Sequence, residues 1–228
     1  GVPQAGNHLD QELTITTGAL EAMIVDYQCI FPALPYTAAC YHTKVFSTSP
    51  KAQMTGATYM EINPENAFEQ SRLMLEAAID NYPNRAKEKV FIPDKPMDAM
   101  VGFSVEAIKK ALGGSLKPLL DVILEGKIRG CVGIVGCNNP HIRHDLGHVT
   151  LAKELIKRDV LCVETGCAAI ACAKAGLMMP ESIEHAGKGI KEVCGSLGIP
   201  PVLHMGSCVD NTRVLNLVAD IANLAGVT

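Results

Sequence analysis

The stretch PPVLHMGSCVDNTRV, residues 200–214, runs an apolar segment into a glycine–serine break, a cysteine and the start of a helix. PVLHM reads as a buried strand, and Asp210 or Asn211 suits the N-cap of the helix that LNLVADIANLA continues. Cys208 thus stands at the carboxyl end of a strand and the amino end of a helix. Backbone N–H groups and the helix dipole favour a thiolate at such a place. The device recurs upstream. Cys167 follows VLCVETG (160–166), Cys137 follows GCVGIVG (130–136), and Cys29 follows AMIVDY (22–27) and one further residue. Glycine stands one or two places before three of the four, which lets backbone approach an inorganic body closely.

Outward from these junctions the pattern alternates. Strands are expected at 130–136, 160–166 and 201–206, with helices over 149–159, 167–177, 182–198 and 211–226. Toward the start, the pattern predicts a helix over 8–21 capped by Asn7, then strands at 22–27, 44–49, 57–62 and 87–92. Helices are expected within PALPYTAACYH and over 64–82, 104–112 and 116–126, and the proline-bearing segment 93–103 is the best linker. Apolar strands alternating with helices indicate the α/β class, a parallel sheet covered on both faces. Parallel strands bring their following turns to one edge, where ligands of open α/β sheets bind, so the four thiols are expected to converge.

Composition narrows the function classes. The chain has 228 residues, 48% of them hydrophobic, and so can bury a sizeable core. A net charge of −4 with both signs dispersed argues against nucleic acid or an anionic membrane as principal partner. No apolar run approaches the ~20 residues of a transmembrane helix, and no secretory pattern opens the chain. Nine cysteines in strand and helix contexts, an odd number, fit a reducing cytoplasm with packed or metal-bound thiols better than a disulfide scaffold. The start at Gly1 and the end just after a helical pattern suggest a fragment.

Convergent thiolates without an oxygen-ligand motif suit soft metals: iron–sulfur, zinc or copper. Their wide spacing does not match the close ligand pairs of a zinc ribbon. Against this stands simple packing, the commonest fate of a single cysteine. Cys40, Cys131, Cys162, Cys172 and Cys194 lie within elements and read as packing residues. His141, His144 and His148 in NNPHIRHDLGH have metal-like spacing, but Pro140, Gly147 and charged neighbours make the segment a solvated loop. His204 reads equally as a hydrogen-bonded core histidine, and His42 and His185 as surface groups. No G-x-S-x-G, P-loop or G-x-G-x-x-G is present.

At these residues the chain resembles a known family. VDYQCIFP (25–32), GCNNP (136–140), ETGCAA (164–169), AKAGLM (173–178), HMGSCVDN (204–211) and the opening residues 1–30 are similar to the catalytic subunit of anaerobic nickel–iron–sulfur carbon monoxide dehydrogenase, and the likeness runs from end to end. The resemblance implies reversible conversion of CO and water to CO₂, two protons and two electrons at a nickel–iron–sulfur C-cluster. It implies Cys29, Cys137 and Cys167 as ligands of iron and Cys208 as the ligand of nickel. It also implies a redox protein such as a ferredoxin as electron acceptor, a homodimeric parent, and a cytoplasmic location with membrane association only through partners. Residues 1–126 correspond to part of the middle Rossmann-like domain and 127–228 to part of the C-terminal one, each expected to be incomplete. The family's other site groups are the histidine and cysteine of its unique iron, an acid–base histidine and a lysine. All fall outside residues 1–228. No catalytic acid or base is therefore assigned here, and the isolated piece is expected to be inactive, its cluster partial or absent.

Two rival readings stay open at this point. A hybrid-cluster (hydroxylamine reductase) relative would carry iron and sulfur without nickel. A non-catalytic α/β module would merely pack its cysteines, and a zinc-binding variant of it would be colourless.

Overall fold

The structure, a computed structural model, describes residues 6–227; residues 1–5, which begin the opening stretch of the resemblance, and residue 228 lie outside the described residues. The chain forms two compact units, His8–Lys95 and Pro96–Thr228, the latter joined by Gly1–Asn7. The passage between them falls inside the expected linker. The boundary expected at 126/127 therefore lies within one unit, because the helices just before it pack on the C-terminal core through Val105, Leu116 and Leu119.

In the His8–Lys95 unit a 3-10 turn (His8–Asp10) leads into α1 (Gln11–Thr16), then β1 (Ala22–Val25), α2 (Leu34–Ala39), β2 (Lys44–Ser47), β3 (Thr58–Tyr59) and α3 (Ala67–Asn81). The three strands pair in parallel, in sequence order. Ile15, Val25, Leu34, Ala38 and Val45 form its core. Three expectations need correcting. The helix expected over 8–21 stops where the chain turns at Thr17–Gly18 to enter β1, and the strand expected over 57–62 keeps only two paired residues. Residues 87–92 are not a strand: Lys87–Lys89 is a 3-10 turn, and the Phe91 N–H bonds the Thr17 carbonyl (2.8 Å) rather than a sheet.

The Pro96–Thr228 unit runs α4 (Val105–Ala111), α5 (Lys117–Leu124), β4 (Gly130–Ile134), α6 (Leu146–Ile156), β5 (Val160–Thr165), α7 (Gly166–Lys174), α8 (Lys188–Leu197), β6 (Val202–Gly206) and α9 (Asn211–Leu224). Its strands again pair in parallel in sequence order. Ser104 caps α4, its Oγ accepting the Ala107 N–H at 3.1 Å. Side chains alternate between the faces of β5. Val163 is in register with Gly133, onto which Val214 of α9 packs, while Glu164 meets Cys172 of α7. Helices thus cover both faces, and all five residues of β6 are buried.

The helix expected over 182–198 is broken, with a 3-10 segment (Pro180–His185) before α8. The break lets α8 start against its neighbours: a Cβ at Gly189 would stand 1.6 Å from the Lys127 carbonyl oxygen. The Asp159 carboxylate accepts the Ile190 N–H at 2.9 Å. Gly147, expected to break the histidine segment, lies inside α6, which begins three residues before the expected 149. Cys40 does not pack within an element; it is exposed at the C-cap of α2. Among the described residues no helix is long and apolar enough to cross a membrane.

Candidate metal centre

Each strand of the Pro96–Thr228 sheet ends within three residues of a cysteine. β4 leads through Val135 and Gly136 to Cys137, β5 passes through Gly166 to Cys167, and β6 through Ser207 to Cys208. Because the strands are parallel, all three thiols lie at the same, carboxyl, edge. The Sγ atoms of Cys137 and Cys167 are within 4.8 Å of each other. The Cys208 Sγ is not within 4.8 Å of both, but it lies against Gly166, the residue before Cys167: a Cβ at that position would meet it at 2.5 Å, and Gly166 also has φ +61. Only glycine combines that backbone conformation with room for the neighbouring sulfur. Cys137 is exposed, Cys208 half-buried and Cys167 buried as the second residue of α7.

Cys208 opens a 3-10 turn (Cys208–Asp210) held by a capping box. Its Asp210 Oδ2 accepts the Ser207 N–H at 3.0 Å, and its Oδ1 accepts from Arg213 Nε at 3.1 Å. Asp210, one of the two caps expected, occupies the N-cap position of α9 but makes no side-chain cap hydrogen bond there, its carboxylate being turned to Ser207 and Arg213. The thiol therefore stands where the sequence suggested, between strand end and helix start.

Cys29 belongs to the His8–Lys95 unit, four residues past the end of β1. It is exposed and adopts a left-handed backbone, φ 56, and its carbonyl accepts a hydrogen bond from the Gln11 amide. A non-glycine residue at positive φ is costly and marks a position kept for another reason.

The remaining cysteines of the Pro96–Thr228 unit behave as packing groups. Desolvation pushes the Cys131 and Cys194 thiols up to about 12 and those of Cys162 and Cys172 further, so all stay protonated. Cys131 and Cys162 sit near strand starts, away from the cysteine edge. The three histidines of the 141–148 segment do not form a ligand group among the described residues. His148 Nε2 bonds the Cys137 carbonyl (3.1 Å), and His144 contacts Asn7 (2.8 Å).

Two polar groups are buried in the sheet, of which Glu164 has no counterpart among the residues singled out from the sequence. Glu164 is fully buried in β5; Cys172 Sγ donates to its Oε1 at 3.4 Å, and Oε2 has no partner. Burial pushes its carboxyl up to about 8, so it is neutral at pH 7. His204, its register partner on β6, is likewise buried with Nε2 unpartnered, and burial holds its imidazole below the usual range. The core position is the one expected of it; the ring's Nε2 alone has no partner, and the backbone carbonyl accepts the Phe103 N–H. The apolar setting VLCVET was the available signal that Glu164 must be buried.

Comparison with known proteins gives a consistent result. The family model described as the Prismane/CO dehydrogenase family matches residues 1–228. Carbon monoxide dehydrogenase 1 of Methanosarcina mazei is 57% identical over 227 residues, covering 100% of this chain and 36% of the relative. Carbon monoxide dehydrogenase 1 of Carboxydothermus hydrogenoformans is 46% identical, covering 100% of the chain and 38% of the relative. The crystal structure of an as-isolated, Ni-free carbon monoxide dehydrogenase from Thermococcus sp. AM4 superposes with a TM-score of 0.92 at 56% identity, over 100% of this chain and 36% of that one. The chain thus spans little more than a third of the length of the relatives it matches.

Proposed function

This chain belongs to the Prismane/CO dehydrogenase family, and from that premise we propose that it is the cysteine-bearing part of a carbon monoxide dehydrogenase. The reaction is the reversible conversion of CO and water to CO₂, two protons and two electrons. In this reading Cys29, Cys137 and Cys167 hold iron and Cys208 holds nickel. The His8–Lys95 unit belongs to the middle Rossmann-like domain and the Pro96–Thr228 unit to the C-terminal one. The parent is a cytoplasmic homodimer that passes electrons to a ferredoxin-type protein.

One observation carries the proposal: three parallel strands deliver Cys137, Cys167 and Cys208 to one edge, with Gly166 leaving room for the Cys208 sulfur. The donor set fits the group, since thiolates are the ligands of iron–sulfur clusters and of other soft metals. When bound, a nickel–iron–sulfur cluster supplies the Lewis-acidic, redox-active centre for CO and water. The chain's own residues do the rest. The sheet edge fixes the thiols, and α7 and α9 begin beside it with their N–H ends, which moderates negative charge there. The strained backbone at Cys29 is what a position kept for its sulfur, rather than its conformation, would show.

The test is elemental analysis of anaerobically purified chain after reconstitution with iron, sulfide and nickel, beside the variant in which Cys29, Cys137, Cys167 and Cys208 are serine. Iron and nickel present in the first and absent from the second are expected. Iron without nickel would point to a hybrid-cluster relative, and zinc alone to a zinc module. Equal metal in both proteins would end the proposal.

A further inference from the structure

The loop after Cys137, which the sequence presents as a solvated histidine segment, is organised around one carboxylate. Asp145 adopts a left-handed conformation, φ 62, and its side chain is only 13% exposed. Its Oδ1 accepts from the Asn138 amide at 2.8 Å, while its own backbone N–H donates to the Asn138 Oδ1 at 2.8 Å. Asn138 follows Cys137 directly and is itself buried. The other carboxylate oxygen, Oδ2, pairs with Lys174 Nζ at 2.6 Å. Lys174 is the last residue of α7, whose second residue is Cys167. One side chain therefore bonds both the loop of Cys137 and the helix of Cys167. The bond from His148 Nε2 to the Cys137 carbonyl braces the same loop from α6.

We propose that Asp145 is a positioning residue that sets the separation of the Cys137 and Cys167 sulfurs, with Asn138 and Lys174 as its two arms. This rests on the reading of those cysteines as metal ligands. Two thiolates on separate elements chelate well only if their spacing is fixed before the metal arrives, and groups behind the ligands typically alter metal affinity about 10- to 100-fold. The strained backbone of Asp145 fits the same role. Such a conformation persists where the surroundings over-determine it, here through a reciprocal pair and an ion pair.

The test uses the 228-residue chain, purified anaerobically and titrated with cadmium(II), with thiolate-to-metal charge-transfer absorption as the readout. The tight binding of the unmodified chain should be lost in the Cys137→Ser, Cys167→Ser double variant, leaving only weaker binding at the thiols of Cys29, Cys40 and Cys208. Asp145→Ala should weaken cadmium affinity about tenfold or more. Asp145→Asn keeps the acceptor for Asn138 and tolerates the left-handed backbone, so it should restore most of the affinity, leaving a deficit of roughly threefold that Lys174→Met reproduces. Circular dichroism checks folding. If Asp145→Ala does not fold, Lys174→Met decides alone. Full affinity in Asp145→Ala, or in Lys174→Met where that variant decides, overturns the positioning role and leaves the ligand reading standing. Cadmium affinity unchanged by loss of both cysteines overturns the ligand reading, and the positioning role with it.

Discussion

In the Pro96–Thr228 unit β6 is buried along its whole length, whereas in the His8–Lys95 unit Ile24 of β1 is 55% exposed and both residues of β3 are exposed. Both units present a cysteine beyond a strand end, but they hold it by different means. Cys167 and Cys208 are placed by a two-faced apolar core that leaves little tolerance for displacement. Cys29 is placed by local chemistry, a left-handed residue and one side-chain bond to its carbonyl. A cysteine beyond a strand end can therefore be held by global packing in one unit and by backbone conformation in the other.

The largest effect is expected where packing is tightest. Gly189→Ala adds a methyl 1.6 Å from the Lys127 carbonyl oxygen, so α8 must move. The ordinary helix gain of about 1 kcal/mol for alanine over glycine is outweighed by a clash of roughly 3 kcal/mol or more. Urea unfolding followed by circular dichroism should show that loss; an unchanged midpoint would mean that this unit is as forgiving as its neighbour.

Glu164 gives the intermediate effect. Its folded-state value, about 8, lies above the ordinary 4.5, so between those pH values the folded chain keeps a proton that the unfolded chain has released. The carboxyl's contribution is thus fully present below pH 4.5 and is lost as pH rises toward 8. The loss is about 3 kcal/mol between pH 4.5 and 7. Glu164→Gln should remove this slope and raise stability at pH 7, measured as the difference between the two urea-unfolding profiles across pH. Parallel profiles would show that the carboxyl is not neutral in the folded chain.

The smallest effect is expected at Cys29. Cys29→Gly relieves a left-handed strain of about 1 kcal/mol and adds unfolded-chain entropy of similar size, so thermal unfolding should barely shift. A loss of more than about 2 kcal/mol would show that the Cys29 side chain is part of the packing, and the contrast between the units would fail.

Much of this arrangement was legible in the sequence, and its limits have physical causes. The runs VLCVET and VLHMG are apolar on both faces, so β5 and β6 and the thiols after them could be placed by pattern alone. The residues at 57–62 and 87–92 look strand-like too, but a strand exists only where a neighbour supplies a ladder, which no local pattern records. The break before α8 depends on the Lys127 carbonyl, about sixty residues earlier in the chain. The same holds for the loop of Cys137, where charge and histidines suggested solvent. Asp145 and Asn138 are in fact withdrawn from it by a partner on another helix, Lys174.

The contact between Gly166 and the Cys208 sulfur carries a consequence for descent. While the thiol is present, any side chain at 166 collides with it; once position 208 shrinks, a small residue at 166 faces only its backbone strain. Loss of the thiol thus opens a substitution that was closed before. After that substitution is made, restoring the cysteine recreates the collision. The two positions form a ratchet, so that a lineage that has lost the sulfur and then filled the gap cannot return by the single change that would restore it.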